Sequence, residues 1–137
     1  MNFNEMLDKC WETALHYEKE AKLYQGTSPA SLEFISCIFR GRNNTSLLVK
    51  CTNNGHAHLK DLDVPYMDDL VIHPPIEITQ EESTEYLYAQ KHKDDWVSVT
   101  IRKPLGPEPF NTLYIYTYPN NTYWAVDSTN GDVFPLF

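Results

Sequence analysis

Glycine is scarce in this chain, five in 137 residues, and none falls in a G-x-x-x-x-G-K-[ST], G-x-G-x-x-G or G-x-S-x-G pattern. Little backbone is left to cradle a phosphate, and no nucleophile elbow occurs. Cysteine is as sparse: Cys10, Cys37 and Cys51 lack CxxC spacing and cannot all pair with one another, which fits reduced thiols in a cytoplasmic protein better than a disulfide framework. No apolar run approaches the roughly 20 residues of a membrane span. The start, M-N-F-N-E-M-L-D-K, has neither a basic n-region nor an apolar h-region, so no membrane partner is expected. Basic charge is short too: 11 Lys and Arg stand against 19 Asp and Glu, a formal charge of −8. That balance opposes binding to phosphate backbones, and no nucleic acid partner is expected. The acid excess is spread, with 7 basic and 10 acidic groups in residues 1–70 and 4 and 9 in the rest, so neither half is a charged tail.

What is present suffices for one domain, residues 1–137, because 42% hydrophobic and 13% aromatic residues can form a core without cross-link or cofactor. The last third, residues 96–137, reads as antiparallel strands: W-V-S-V-T-I-R, L-Y-I-Y-T-Y, T-Y-W-A-V-D and D-V-F-P-L-F. Val97, Val99 and Ile101 alternate with Ser98, Thr100 and Arg102, the two-residue period of a half-buried strand. Pro119-Asn120-Asn121 and Ser128-Thr129-Asn130-Gly131 supply the turns. The loop P-L-G-P-E-P, with three prolines, excludes regular structure within itself.

Towards the N-terminus, Phe3, Met6, Leu7, Cys10, Trp11, Ala14, Leu15, Tyr17, Ala21 and Tyr24 recur at three- and four-residue spacing. They predict an amphipathic helix of about six turns, started by Asn2 with Glu5 and stopped by Gly26. L-E-F-I-S-C-I-F-R would suit a helix with Pro29 near its start and Gly41 as its stop. Its short, nearly continuous apolar run, followed by S-L-L-V-K-C, favours a strand hairpin. H-L-K-D-L-D-V is a third extended piece, leading into an irregular linker with Asp68, Asp69 and His73-Pro74-Pro75. After a short extended I-E-I, T-Q-E-E is a capping box of Thr79 and Glu82 that predicts a second helix. The rival is a hairpin from E-Y-L-Y-A-Q turning at Lys93-Asp94-Asp95.

The expectation is an α+β fold: two helices on a mainly antiparallel, twisted sheet of about six or seven strands. The halves, a helix-plus-hairpin in residues 1–65 and residues 76–137, follow similar α-β-β-β orders. In the second, I-T-Q-E-E-S, W-V-S-V-T-I, L-Y-I-Y-T-Y and Y-W-A-V-D-S-T-N-G-D-V-F resemble a PepSY-type domain over residues 78–134. Tyr123, Val126, Asp127, Gly131 and Val133 sit as in that family's aromatic-x-x-V-D…T-G-E-V hairpin, whereas Ser83 stands where it usually has Ala. The resemblance implies a cystatin-like helix-on-sheet fold that binds or restrains another protein, often a peptidase, without catalysis of its own.

Candidates for chemistry are few. His56 and His58, with His73 downstream, form the histidine grouping, but a zinc site normally takes three or four ligands with a supporting shell, so no metal and no cofactor are expected. Cys37 and Cys51 lie in apolar runs, where thiols are inert. The acid pairs Asp61/Asp63, Asp68/Asp69, Glu81/Glu82 and Asp94/Asp95 occupy polar segments and fit solvated helix starts and loops. In L-Y-I-Y-T-Y, however, Tyr114, Tyr116 and Tyr118 share one face, with Tyr123 and Trp124 just across the turn. Tyrosines of this kind serve interfaces or cores. These five residues are the candidate protein-binding surface of a non-enzymatic, inhibitor- or immunity-like module whose partner is another protein. The alternative is a small hydrolase or lyase with carboxylates and histidine in a cleft between helix and sheet.

Overall fold

The computed structural model describes residues 1–66, 69–106 and 110–136; Asp68, residues 107–109 of the proline-rich loop and Phe137 lie outside them. Helix α1 spans Phe3–Tyr17 and opens on the expected box, in which Asn2 Oδ1 accepts from the Glu5 amide and Glu5 returns a carboxylate oxygen to the Asn2 amide. It buries Phe3, Met6, Leu7, Cys10 and Ala14.

The helix is shorter than its apolar spacing predicts. The chain turns at Glu18, whose carboxylate meets Arg42 Nε at 3.0 Å, and Lys22–Pro29 is strand β1. Ala21 and Leu23 therefore enter the core from a turn and a strand. Gly26 is no helix stop. It lies mid-strand, where a Cβ would stand 3.1 Å from Cys37 Sγ and 3.4 Å from Leu7 Cδ1; the missing side chain lets α1 settle close on the sheet.

Strands β2 (Phe34–Arg40) and β3 (Ser46–Thr52) form the expected hairpin, followed by β4 (Ala57–Asp61). Strand β5 is only Asp69–Leu70. Helix α2 (Gln80–Ala89) begins at the Thr79/Glu82 box, so the rival hairpin for this segment does not form. Strands β6 (Ser98–Pro104), β7 (Leu113–Thr117), β8 (Tyr123–Asp127) and β9 (Val133–Leu136) complete the chain. Residues 76–78 join no ladder.

The α+β class and antiparallel sheet are as the sequence predicts. Among the described residues the sheet has nine strands where six or seven were expected, the additions being β1 and β5, one hidden by helical spacing and the other only two residues long. The order is β4-β3-β2-β1-β6-β7-β8-β9, with β5 beside β6. Each half is thus a helix and a four-strand meander, and the two meet where β1 and β6 pair antiparallel, Thr27 opposite Thr100. An approximate two-fold axis through that pair maps Cys37 onto Tyr116, Lys50 onto Ala125 and His58 onto Phe134, as the ladders require. Beyond Gln25 and Arg102 the central strands part, and the connector fills the gap: Leu23 bridges Ile72, and Lys103 pairs with Leu70.

Both helices lie on one face. Phe3, Met6, Leu7 and Cys10 of α1 share a single core with Leu87 of α2, Phe39, Val49, Ile101, Tyr114, Tyr116 and Val126. Removing this apolar surface from water supplies the main stabilisation.

Candidate functional site

The tyrosine row is core. Tyr114 and Tyr116 are wholly inaccessible and Tyr118 nearly so, because their side of β7 faces the helices while Leu113 and Ile115 take the other. A buried phenol requires a partner, and the α2 segment provides one for each. Tyr114 donates to Ile78 O at 2.6 Å and accepts from Asn4 Nδ2 at 3.2 Å. The Tyr116 hydroxyl meets Ser83 Oγ and accepts from Gln80 Nε2 at 3.2 Å, while Tyr118 donates to Lys93 O at 2.8 Å.

Burial pushes the Tyr116 hydroxyl up to about 12 against the opposing pull of its Ser83 and Gln80 bonds. Tyr118 is likewise raised by burial to about 12, and Tyr114 rises further for the same reason. Trp124 shares this side of the sheet, half-buried against His92 with ring centres 3.9 Å apart. Tyr123 points the opposite way and is 40% exposed. The five candidate residues therefore form no common surface.

The other candidates are dispersed. His56, His58 and His73 are exposed, and among the described residues no group of three His, Cys, Asp or Glu is placed to hold a metal ion. Cys10 on α1, and Cys37 and Cys51 on the strands beneath it, are buried free thiols; burial, then the Cys10 thiol, raises Cys37 well above the usual thiol range. Asp61 accepts from Tyr17, and Asp63 is exposed. Asp69 is buried and receives Arg102 through Nη2 at 2.6 Å and Nε at 2.7 Å, with Tyr66 donating at 2.8 Å, an arrangement that ties the connector to β6. Glu81 is exposed at the start of α2, while Glu82 is held below the usual carboxylate range by the Thr79 amide. Asp94 is exposed, and Asp95 lines a solvent-open cleft of about 410 Å³ with His92, Tyr118 and Trp124.

What the sequence reading missed is the face opposite the helices. One row of directly paired residues crosses eight strands: His58, Lys50, Ser36, Thr27, Thr100, Ile115, Ala125 and Phe134. Thr27 and Thr100 share a 2.9 Å hydrogen bond at its middle. On the first-half side the flanking rows add Lys22, Arg40 and Lys60. On the second-half side they add Leu113, Tyr123 and Leu136.

There Leu113, Ile115 and Ala125 form a second apolar cluster under Phe110, Phe134 and Leu136, with Phe110 and Phe134 stacked at 6.1 Å. Among the described residues neither helix packs on this face. A groove of about 410 Å³ runs over the seam, lined by Gln25, Thr27, Thr100, Arg102 and Tyr123 among others. The available signal was alternation: Lys50 stands between Val49 and Cys51, so two buried neighbours assign it to the opposite face. Compared with protein-family models, curated proteins and solved structures, the chain matches none.

Proposed function

We propose that this chain is a protein-binding module, of the inhibitor or immunity kind, and that it engages its partner through the open face of the sheet. The observation that carries the reading is the crossing row, charged at one end and apolar at the other, on a face that no described helix covers. A sheet face wide enough for a standard interface, with aromatic and aliphatic side chains beside charged ones, has the composition of a recognition surface. The PepSY-type resemblance of residues 78–134 agrees in implying a role in binding or restraining another protein. The partner class is protein, without metal, cofactor, nucleic acid or membrane.

Capture from the native host tests this. Wild-type bait should recover a partner that the Tyr123→Ser/Phe134→Ser variant loses, while a helix-layer variant, Leu15→Ser/Glu12→Gln, retains it. A partner lost with the second variant and kept by the first would move the interface to the helices.

One observation favours a second reading. His92 and Asp95 line one cleft at the end of α2, as a small hydrolase or lyase would need. No hydrogen bond joins them among the described residues, and the imidazole lies on Trp124. Hydrolysis of a generic ester panel that disappears on His92→Ala would favour this enzyme.

A further inference from the structure

The open face concentrates charge in a way that the overall composition conceals. Five neighbouring strands each place one cation on it: Lys60 on β4, Lys50 on β3, Arg40 on β2, Lys22 on β1 and Arg102 on β6. At the usual strand spacing they extend over about 19 Å. Among the described residues two carboxylates share the face, and both are buried and engaged at or beyond the seam. Asp69 holds Arg102, and Asp127 accepts from Asn111 Nδ2 at 3.0 Å.

The first half's strands contribute no acid to this face, whereas the helices carry Glu5, Asp8 and Glu12 on α1 and Glu81, Glu82 and Glu85 on α2. A chain of net charge −8 thus displays a cationic sheet face. Among the described residues Lys22, Arg40, Lys50 and Lys60 make no ion pair.

Lys22 and Arg40 are direct cross-strand partners. Like charges opposed in this way destabilise a sheet, and the fold keeps them together at the rim of a cleft of about 620 Å³. Arg42 and Glu20 also line that cleft, with Arg42 already bridged to Glu18. Such a cluster becomes favourable once an anionic group enters it.

Resting on the binding reading above, we propose that the partner presents an acidic protein segment. Its carboxylates lie over Lys22, Arg40, Lys50 and Lys60, and its apolar side chains over Ile115, Tyr123 and Phe134. Nucleic acid fits less well. A single-strand binder stacks bases on free aromatic faces along its basic track, whereas Phe34, beside Lys50, is covered by Lys50 Nζ at 4.2 Å from its centre.

The test is fluorescence anisotropy of the whole protein with a labelled oligoglutamate, and with the same peptide ending in Leu and Phe. Both should bind at low salt and weaken as salt rises. The apolar ending should tighten binding, and Tyr123→Ser/Phe134→Ser should remove that gain. Lys50→Glu/Lys60→Glu should weaken both by about ten-fold or more, and Lys50→Gln/Lys60→Gln, which neutralises the charge with little change of shape, by a smaller factor. Circular dichroism confirms that each variant is folded.

The proposal is overturned by no oligoglutamate binding at low salt, by binding that the reversals leave unchanged, or by tighter binding of an oligothymidylate of equal charge. Low-salt self-association would overturn it as well, by making the acidic helices of a second copy the occupant. A captured partner whose binding ignores the Lys50 and Lys60 variants yet depends on Tyr123 and Phe134 would reject only the acidic segment; a partner indifferent to every open-face variant would reject the binding face itself.

Discussion

The two halves share a topology and spend it differently. Where the first half has Cys37 against α1, the second has Tyr116 against α2; where the first shows Lys50, His58 and Lys60 on the open face, the second shows Ala125, Phe134 and Leu136. The helices explain the inner difference. Helix α1 runs 15 residues and buries a stripe of bulky apolar groups, so small thiols suffice beneath it. Helix α2 has 10 residues and buries Leu87 with the polar Gln80 and Ser83. Too little apolar surface remains to hold it by burial alone, and hydrogen bonds between the tyrosine hydroxyls and the α2 segment make up the difference. One backbone plan therefore supports an apolar helix seat and a polar one.

The halves differ most in energy at the matched core position, Cys37 and Tyr116. Tyr116→Ala should cost about 3–5 kcal/mol of unfolding free energy in a urea melt, as large aromatic truncations do, while Cys37→Ala should cost about 1 kcal/mol. Equal losses would show that the tyrosine is not what seats α2.

A finer cut removes only the hydroxyl. Tyr116→Phe leaves Gln80 Nε2 and Ser83 Oγ short of a buried partner and should cost about 1–3 kcal/mol. The same chemistry governs alkali. Tyr116 and Tyr118 have folded-state values raised to about 12, above the ordinary value of 10.0, so their stabilising contribution is whole below about pH 10 and is lost as pH rises towards 12. Ultraviolet titration should find Tyr116 and Tyr118 ionising only with cooperative unfolding. Smooth ionisation of Tyr116 and Tyr118 near pH 10 in a folded protein would contradict the burial.

The smallest effect sharpens the likeness of the halves. Both helices open with a capping box, Asn2/Glu5 and Thr79/Glu82, and Asn2→Ala and Thr79→Ala should each cost about 1 kcal/mol. Hydrogen exchange should show the second loss concentrated in α2, which has less packing to fall back on.

Much of this was legible in the chain itself. The capping boxes, the hairpin turns and the alternation of β6 are local signals, and each led to its element. Two failures have one physical origin. Ala21 and Tyr24 continue the helical spacing of α1, yet tertiary contact decides: Gly26 fits where a side chain would press on Leu7 of the helix and Cys37 of the sheet, and Glu18 is drawn to Arg42. Likewise, the shared face of Tyr114, Tyr116 and Tyr118 follows from period two, whereas its covering by α2 depends on long-range packing that no local pattern encodes. The cationic face stayed hidden because Lys22, Arg40, Lys50 and Lys60 are far apart in sequence and converge only through strand order.

Hydroxyl-radical footprinting of the complex with the captured partner would show which face of the sheet binds. Protection of Tyr123, Phe134 and Leu136, with Leu15, Tyr86 and Tyr88 on the helix layer still oxidised as in the free protein, is the predicted result. Protection of the helix-layer residues, with Tyr123 and Phe134 unchanged, would contradict it.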